Sequence, residues 1–308
     1  MRIPASGEQW TIRRHGQEAT VAQVGGGLRT YTVDGVDVVA GYREDEMAGS
    51  GRGQLLMPWP NRIRDGKYAF GGEERQLSIT EVPLYNASHG LVRWAQWELV
   101  RVQAGDSALT VRHRLLPQPG WVGVLDLVVV YTLDDDGLRV ATTATNVGQV
   151  PAPFGYGAHP YLAIGGTALA DVELTVPAET EVLVDDRSIP TGTGPVRPET
   201  DFRRWRRLGD ARLDTAYTDL ARDGDGRWRV SLDALADRPA VTLWGDEAFE
   251  WVQVFTAKGE DDFTEGARGI AVEPMSCPAN AFNTGDGLVV LDPGQSWAGT
   301  WGISPSAG

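Results

Sequence analysis

The feature of this sequence that most constrains its fold is an alternation of apolar and polar residues that recurs from end to end. Leu28–Val33, residues 128–132 and residues 228–232 each alternate in this way. A period of two places one set of side chains on one face of a β-strand, whereas an amphipathic helix needs a period near 3.6. The 38 glycines and 18 prolines also disfavour long helices. The pattern therefore predicts an all-β protein with very little helix.

Turn signals separate the predicted strands and define three hairpins. Asp34-Gly35, Gly71-Gly72 and residues 134–137 each lie between two segments that read as strands. Asp-Gly and Gly-Gly pairs favour the positive φ angles of tight hairpin turns, whose twist matches that of the flanking strands. Short strands joined in this way are typical of antiparallel sandwiches and barrels.

The sequence contains few signals for helices and none for a domain boundary. Residues 279–282 are predicted to form one short helical turn, and residues 185–201, rich in Pro, Gly and Thr, are predicted to form a long loop. The sequence contains no internal repeat and no linker-like stretch. The chain, residues 1–308, is therefore predicted to be a single β-sandwich domain, an ordinary size for an all-β protein.

The charge balance and the cysteine count narrow the class of partner. Lys and Arg total 28 and Asp and Glu total 42, so the formal net charge is −14 at pH 7. Such a field repels phosphate backbones and anionic lipids, and we expect neither a nucleic-acid nor a membrane partner. The single cysteine, Cys277, excludes an internal disulfide and a multi-cysteine metal site. The first residues lack the apolar segment of a signal peptide, so we expect a cytoplasmic protein.

Two of the four histidines lie in contexts typical of functional loops. His15 follows two arginines in a polar stretch, and His113 alternates with apolar residues in a strand pattern. His89 and His159 instead lie among glycines and prolines. Loops on a rigid β scaffold are where catalytic groups concentrate. We therefore expect His89 and His159 to be functional, His15 to be at the surface and His113 to be on a sheet face.

Two further segments carry side chains suited to a polar site. His159 and Glu273 each precede a proline, which restricts the backbone of the preceding residue to extended conformations. In Pro58-Trp59-Pro60-Asn61-Arg62, a stiff segment precedes an amide and a guanidinium that can bind sugar hydroxyls. The alternative for Arg62 is a surface ion pair, and the alternative for Trp59 is a place in the core.

Five segments occur in a characteristic order: Pro60-Asn61-Arg62-Ile63, His89-Gly90, Gly157-Ala158-His159-Pro160-Tyr161, Leu213-Asp214-Thr215-Ala216-Tyr217, and Glu273-Pro274-Met275 with Ala281-Phe282-Asn283. Together with the closing stretch 287–294, they resemble the aldose 1-epimerase (galactose mutarotase) family from about Arg13 to Trp301. The resemblance implies a large antiparallel β-sandwich of the galactose-mutarotase type with an open cleft on one face.

The resemblance also implies roles for individual residues. Glu273 would be the general base and His159 the general acid. The positions implied to contact the sugar are Asn61, Arg62, His89, Asp214 and Gln253, the last with a shorter spacing to Glu273 than in the family. Neither a metal nor a cofactor is implied, and the expected partner is a small-molecule sugar.

This assignment makes chemical sense. Interconversion of α and β anomers removes the proton of the C1 hydroxyl, protonates the ring oxygen and opens the ring, and closure on the other face reverses these transfers. One base and one acid suffice, and a carboxylate and an imidazole serve once their environments adjust their pKa values. We expect a modest negative potential to keep His159 protonated, because the ordinary pKa of histidine is about 6.5.

Three alternatives remain open at this point. The first is an epimerase for an anionic sugar, phosphorylated or sulfonated, which would require several arginines of the basic run Arg203-Arg204-Trp205-Arg206-Arg207 to converge on the cleft. Such runs usually face water or cover a strand edge. The second is a sugar-binding protein without catalysis, and the third is a glycosidase that uses Asp214 and Glu273.

Overall fold

A computed structural model describes residues 3–103, 105–234, 240–256 and 268–305. Its strands in the first half of the chain are β1 (Gln9–Arg14), β2 (Gln17–Ala22), β3 (Leu28–Val33), β4 (Val36–Asp37), β5 (Leu55–Leu56), β6 (Arg62–Arg64), β7 (Lys67–Phe70), β8 (Glu73–Gln76), β9 (Asn86–Ser88), β10 (Glu98–Val102), β11 (Ala108–Leu115), β12 (Leu125–Asp134) and β13 (Gly137–Asn146).

The second half continues the same pattern. Its strands are β14 (Ala152–Phe154), β15 (Gly157–Ala158), β16 (Tyr161–Ala163), β17 (Glu173–Thr175), β18 (Ala178–Val184), β19 (Pro190–Pro195), β20 (Arg206–Arg207), β21 (Asp214–Leu220), β22 (Trp228–Asp233), β23 (Val241–Gly245), β24 (Trp251–Phe255), β25 (Gly269–Met275), β26 (Val289–Leu291) and β27 (Ser296–Pro305). The helices are α1 (Ala281–Thr284) and two 3₁₀ turns, Gly49–Gly51 and Leu169–Asp171. No helix of the described residues is long and apolar enough to cross a membrane.

Two large antiparallel sheets dominate the architecture. One has nine strands in the order β10-β11-β12-β13-β27-β23-β22-β17-β20, and the other has eight, seven of them in the order β19-β18-β21-β24-β25-β15-β5 with β16 also paired to β25. A four-stranded sheet, β1 to β4, precedes them. Apolar side chains of both large sheets, among them Val129 and Val254, belong to one buried cluster. The fold is thus the predicted all-β antiparallel architecture with very little helix.

The alternation seen in the sequence is the alternation of burial in the strands. In β12 every second residue from Leu125 to Leu133 is buried and the residues between are half-buried. The three predicted hairpins are present as β3–β4, β7–β8 and β12–β13. Asp34 and Gly35, like Gly71 and Gly72, have positive φ angles, as their turns require.

Two local predictions need correction. Residues 185–201 are not one long loop, because they contain β19, which pairs with β18 at the edge of the eight-stranded sheet. An edge strand tolerates proline and glycine because one row of its backbone groups needs no partner strand. The helical turn begins at Ala281 rather than at residue 279, after Asn280 in the left-handed conformation.

Candidate active site

All seven residues that the sequence singled out line one cavity of about 700 Å³. They come from distant parts of the chain and from different elements: Asn61, Arg62, His89, His159, Asp214, Gln253 and Glu273. Their convergence is a property of the fold, because the sequence separates the first from the last by more than two thirds of the chain. The roles of these residues remain predictions.

Three neighbouring strands of the eight-stranded sheet carry the acidic half of the site. Asp214 is the first residue of β21, Gln253 lies in β24 and Glu273 lies in β25. Gln253 stands directly opposite Glu273, and Asp214 is diagonal to Gln253, since Ala216 is the residue opposite Gln253. Side chains opposite or diagonal on one sheet face lie within reach of one another. The pleat therefore groups these three side chains.

Two of the site residues have left-handed backbones. Asn61 (φ 55°) directly precedes β6 and His89 (φ 63°) directly follows β9, the strand paired with β6. The amide of His89 donates to the carbonyl oxygen of Asn61 at 2.7 Å, which ties the two residues together. Non-glycine residues in this conformation are uncommon and cluster at functional sites. The sequence analysis did not predict this conformation.

A glycine turn and an aromatic ring hold His159. The imidazole stacks on the ring of Tyr161, with centroids 5.1 Å apart and planes inclined by 15°. Gly51 (φ 75°) also lies close to this imidazole. A Cβ added at Gly51 would lie 2.8 Å from Cδ2 of His159. His89 approaches His159 edge-on at 5.6 Å. The imidazole of His159 is therefore fixed before any ligand binds.

The centre of the site is a buried contact between His159 and Glu273. Nε2 of His159 lies 3.2 Å from Oε1 of Glu273, and the two residues are only 6% and 3% exposed. Oε2 of Glu273 and Nδ1 of His159 are buried and have no hydrogen-bond partner among the described residues. Buried polar atoms without partners are costly and call for an explanation. A bound hydroxyl group could donate its hydrogen bond to the unpartnered Oε2 of Glu273.

Burial also sets the protonation of this pair. Burial, with the nearby charges of Arg93 and Arg52 acting in the same direction, lowers the pKa of His159 to about 3. Burial raises the pKa of Glu273 well above its ordinary value, an effect that Asp214 strengthens and Arg62 opposes. The expectation of a protonated His159 in the empty cleft was therefore wrong, because desolvation disfavours the imidazolium.

A chain of polar side chains runs along the cavity wall beside this pair. Nη1 of Arg62 donates to Oδ1 of Asn61 at 3.0 Å, and Nδ2 of Asn61 donates to Oε1 of Gln253 at 3.4 Å. Nε2 of Gln253 in turn donates to Oδ1 of Asp214 at 2.6 Å. These contacts orient the amides and leave the second oxygen of Asp214 outside the chain. The wall thus presents fixed donors and acceptors to a hydroxylated ligand.

Arg62 is also held by an acidic residue that the sequence analysis did not single out. Its Nε donates to Oε2 of Glu81 at 2.8 Å and its Nη2 donates to Oε1 at 2.9 Å, a two-pronged pairing. The alternative prediction, that Arg62 forms an ion pair with a carboxylate, is therefore confirmed for the pair itself. However, both partners line the cavity, so the pair belongs to the site.

Several other candidates lie elsewhere. The basic run 203–207 is not part of the cavity wall. Arg203 pairs with Asp201 and Glu179. Arg207 belongs to the edge strand β20, and its guanidinium lies near the carboxylates of Asp171 and Glu173. Trp59 is a buried core residue that packs edge-on against Phe282.

Two cavity residues that sequence reasoning missed lie three and four positions after the His89-Gly90 motif. Arg93 and Trp94 both line the cavity, and Trp94 is 44% exposed. Their proximity to the motif was the available signal. Among the described residues, no group of three or more His, Cys, Asp or Glu side chains is arranged to hold a metal ion.

The chain thus combines an antiparallel all-β architecture with a buried carboxyl–imidazole pair in a polar cleft. The sequence matches the aldose 1-epimerase family over residues 8–304, and the chain belongs to that family. Membership supports an isomerase class with a role in carbohydrate metabolism.

Individual relatives agree with this placement. The chain is 32% identical to the uncharacterized protein YihR of Escherichia coli K12, over 94% of this chain and 91% of that protein. It is 31% identical to human galactose mutarotase over 56% of this chain, a match that spans only about half (52%) of the human protein. Among solved structures, an aldose epimerase homologue from C. elegans superposes with a TM-score of 0.84 at 21% identity, covering 97% of this chain and 99% of that one. A galactose mutarotase-like protein from Clostridium acetobutylicum gives 0.82 at 18% identity, with coverage of 96% and 95%. At these identities the two structures support the fold alone.

Proposed function

We propose that this chain is an aldose 1-epimerase that interconverts the α and β anomers of a free aldose. The observation that carries the proposal is the buried contact of 3.2 Å between Nε2 of His159 and Oε1 of Glu273, beside a carboxyl oxygen without a partner. An acid and a base are thus fixed at one point of a cleft whose other walls are lined with hydroxyl-binding groups. The proposal requires neither a metal nor a cofactor.

The reaction needs one proton shared by Glu273 and His159, and the two residues together hold one proton before and after ring opening. In the reactive form Glu273 is ionised and His159 is protonated. Glu273 removes the proton of the C1 hydroxyl while His159 protonates the ring oxygen, so the bond between C1 and the ring oxygen breaks and C1 becomes a carbonyl. The open-chain aldehyde then faces a protonated Glu273 and a neutral His159. Rotation about C1–C2 and closure on the other face return both protons.

The empty cleft favours the uncharged form of the pair, because burial opposes both charges. The proton must therefore pass from Glu273 to His159 when the sugar binds. We propose that the hydroxyl groups of the sugar drive this transfer by hydrogen bonding to the carboxylate, which favours its charged form. Arg62 assists, since its charge also lowers the pKa of Glu273.

The alternatives are less well supported. The anionic-sugar alternative loses the feature on which it depended, because residues 203–207 are not part of the cavity wall. A binding protein without catalysis would gain nothing from burying a carboxyl group with an unsatisfied oxygen. A glycosidase that used Asp214 and Glu273 would leave the imidazole of His159, in contact with Glu273, without a function.

The test is polarimetry of freshly dissolved α-D-glucose and α-D-galactose with catalytic amounts of the protein. We expect faster relaxation to the same final rotation with at least one of them. Relaxation at the uncatalysed rate with both sugars would contradict the proposal.

A further inference from the structure

Glu81 fixes the orientation of Arg62, which lines the cavity beside Glu273 and His159. Nε and Nη2 of Arg62 donate to the two oxygens of Glu81 at 2.8 and 2.9 Å, and Nη1 donates to Oδ1 of Asn61. Among the described residues, these bonds engage three of the five N–H groups of the guanidinium. Two N–H groups therefore remain for a ligand, and Glu81 sets the direction in which they are held.

The ion pair of Arg62 and Glu81 is largely shielded from solvent. The two side chains are 16% and 23% exposed. Charges in such positions are screened by salt much less than charges at the surface, and a buried cation without a counter-charge is costly. The carboxylate of Glu81 therefore offsets the charge of Arg62 before any ligand binds. It also limits the positive potential that Arg62 exerts on Glu273.

Glu81 is itself held in place from the side away from the cavity. Its backbone exchanges two hydrogen bonds with Asn86, which is fully buried. Nδ2 of Asn86 donates to Oε2 of Glu81 and to the carbonyl oxygen of Arg187, both at 3.1 Å. Nε of Arg187 in turn donates to the carbonyl oxygen of Leu84, within the same loop, at 3.0 Å. The carboxylate of Glu81 is thus fixed by the protein and needs no ligand to orient it.

The potential at the Glu273–His159 pair depends on a small number of charges. Three cations and two anions act on the pair or line its cavity, and two further titratable rings touch His159. The cations are Arg52, Arg62 and Arg93, the anions are Glu81 and Asp214, and the rings are His89 and Tyr161. Removing the charge of Glu81 would leave three cations against one anion. A more positive potential favours an ionised carboxyl group, and a carboxylate that is stabilised in this way is a weaker base.

We propose that Glu81 is a positioning residue for the reaction, because it fixes the fork of Arg62 and offsets its charge so that Glu273 keeps its strength as a base. The inference rests on the proposed function of Glu273. Arg62 helps to form the carboxylate of Glu273 when the sugar binds. With its charge uncompensated, Arg62 would hold Glu273 in the ionised form and oppose removal of the proton from the C1 hydroxyl. Glu81 acts through Arg62 and sets the balance between these two effects.

The test measures the proton affinity of Glu273 directly, in the sugar-free protein. Carbon-13 NMR of labelled glutamate carboxyl groups follows the titration of Glu273, whose resonance is assigned by its loss in Glu273→Gln. Glu81→Gln keeps the length of the side chain and removes its charge, so we expect it to lower the pKa of Glu273 by about one pH unit. Glu81→Asp keeps the charge and should leave this pKa within about 0.3 units of the wild-type value.

Kinetics on the same variants connect the titration to the reaction. We expect the alkaline limb of kcat/KM to move to lower pH in Glu81→Gln by the same amount as the NMR titration. We also expect kcat to fall by about 3- to 30-fold, because the base is weaker and the fork of Arg62 is less well fixed. Glu179→Gln is the matched control. It removes the same charge from an ion pair with Arg203 that lies away from the cavity, and it should change neither quantity.

The outcomes separate this inference from the proposed function. A loss of kcat in both Glu81→Gln and Glu81→Asp without any shift in the titration of Glu273 would show a merely structural role and overturn the inference. An equal shift in Glu179→Gln would overturn it in favour of an effect of net charge. Failure of the wild type to accelerate any sugar would overturn the proposed function, whereas the NMR titration would still show whether Glu81 controls the protonation of Glu273.

Discussion

At the scale of single residues, the protonation of the Glu273–His159 pair decides how the site responds to pH. Burial favours the pair with one proton, because adding a second proton or removing the first leaves a net charge in the interior. The two groups are in contact, so the pair titrates in two steps that belong to both residues. Nearby charges shift the pKa values of the pair by less than burial does. These charges belong to Arg52, Arg93, Arg62 and Asp214.

This protonation predicts a broad pH profile. The acid limb of kcat/KM lies well below pH 6.5, because the pKa of His159 is lowered to about 3, and the alkaline limb lies well above the ordinary pKa of Glu273. We expect mutarotase activity to change less than about twofold as the pH falls from 6.5 to 5.0, because the acid limb lies near the lowered pKa of His159. The measurement is kcat/KM by polarimetry, corrected for the pH-dependent uncatalysed rate. A loss of activity on raising the pH through 6.5 would show an ordinary, exposed histidine acid instead.

The site residues that the sequence predicted are those carried by short motifs. His159 and Glu273 could be predicted because each occurs in a family motif and precedes a proline. Glu81 could not be predicted, because nothing in its local sequence shows that its carboxylate pairs with Arg62, 19 residues away. Arg93 and Trp94 lie close to the His89-Gly90 motif, but their place in the cavity wall depends on the assembled fold.

At the scale of secondary-structure elements, the turn Gly49–Gly51 positions the imidazole of His159. A methyl group at Gly51 would lie 2.8 Å from Cδ2 of His159, closer than carbon atoms approach without displacement. The left-handed φ of 75° adds strain for any other residue.

We therefore expect Gly51→Ala to lower kcat by about 10- to 100-fold, because small displacements of a catalytic group are costly. The matched control is Gly72→Ala, with a φ of 80° and no atom within 4 Å of the added carbon. Both variants should lose about 1–2 kcal/mol of stability from backbone strain, and only Gly51→Ala should lose activity. Equal activities in the two variants would contradict a positioning role for this turn.

The elements themselves were predictable to different degrees. The β12–β13 hairpin was evident, because long alternating runs flank an acidic turn. The edge strand β19 was not, because Pro-Thr-Gly-Thr-Gly-Pro lacks the apolar alternation of a half-buried strand. Its residues are exposed or half-buried, so burial imposes no period on the sequence. Pairing with β18 alone makes it a strand.

At the scale of the whole molecule, the buried histidines couple stability to pH. Burial lowers the pKa of His89 well below 6.5, and the positive charges of Arg93 and Arg62 act in the same direction. The unfolded chain binds a proton at His89 once the pH falls below 6.5, while the folded chain does not. The stability associated with a neutral His89 is therefore present above pH 6.5 and is lost as the pH falls.

A comparison of variants isolates this contribution. His89→Gln should flatten the dependence of the unfolding free energy on pH below 6.5 by up to about 1.4 kcal/mol per pH unit, the value for one proton. The measurement is denaturant unfolding at several pH values between 4.5 and 7.5. Parallel curves for His89→Gln and the wild type would show that His89 protonates in the folded state.

The large-scale assembly was predictable only through the family resemblance. Alternation and turns predict strands and hairpins. The strands that carry the site, however, pair with strands from distant parts of the chain: β6 with β9, β21 with β24, and β24 with β25. Nothing local specifies those pairings. The charge of the whole molecule was similarly uninformative about the cleft, where burial rather than the net charge of −14 sets the protonation of His159.

Glu273→Gln tests whether Glu273 is the base of the proposed anomer interconversion. The amide keeps the shape of the side chain but cannot accept the proton of the C1 hydroxyl. Polarimetry with the sugar on which the wild type is fastest should show a loss of kcat of about 10²–10⁴-fold. Calorimetry should show sugar affinity within about threefold of the wild type. Turnover at the wild-type rate in Glu273→Gln would rule out Glu273 as the base.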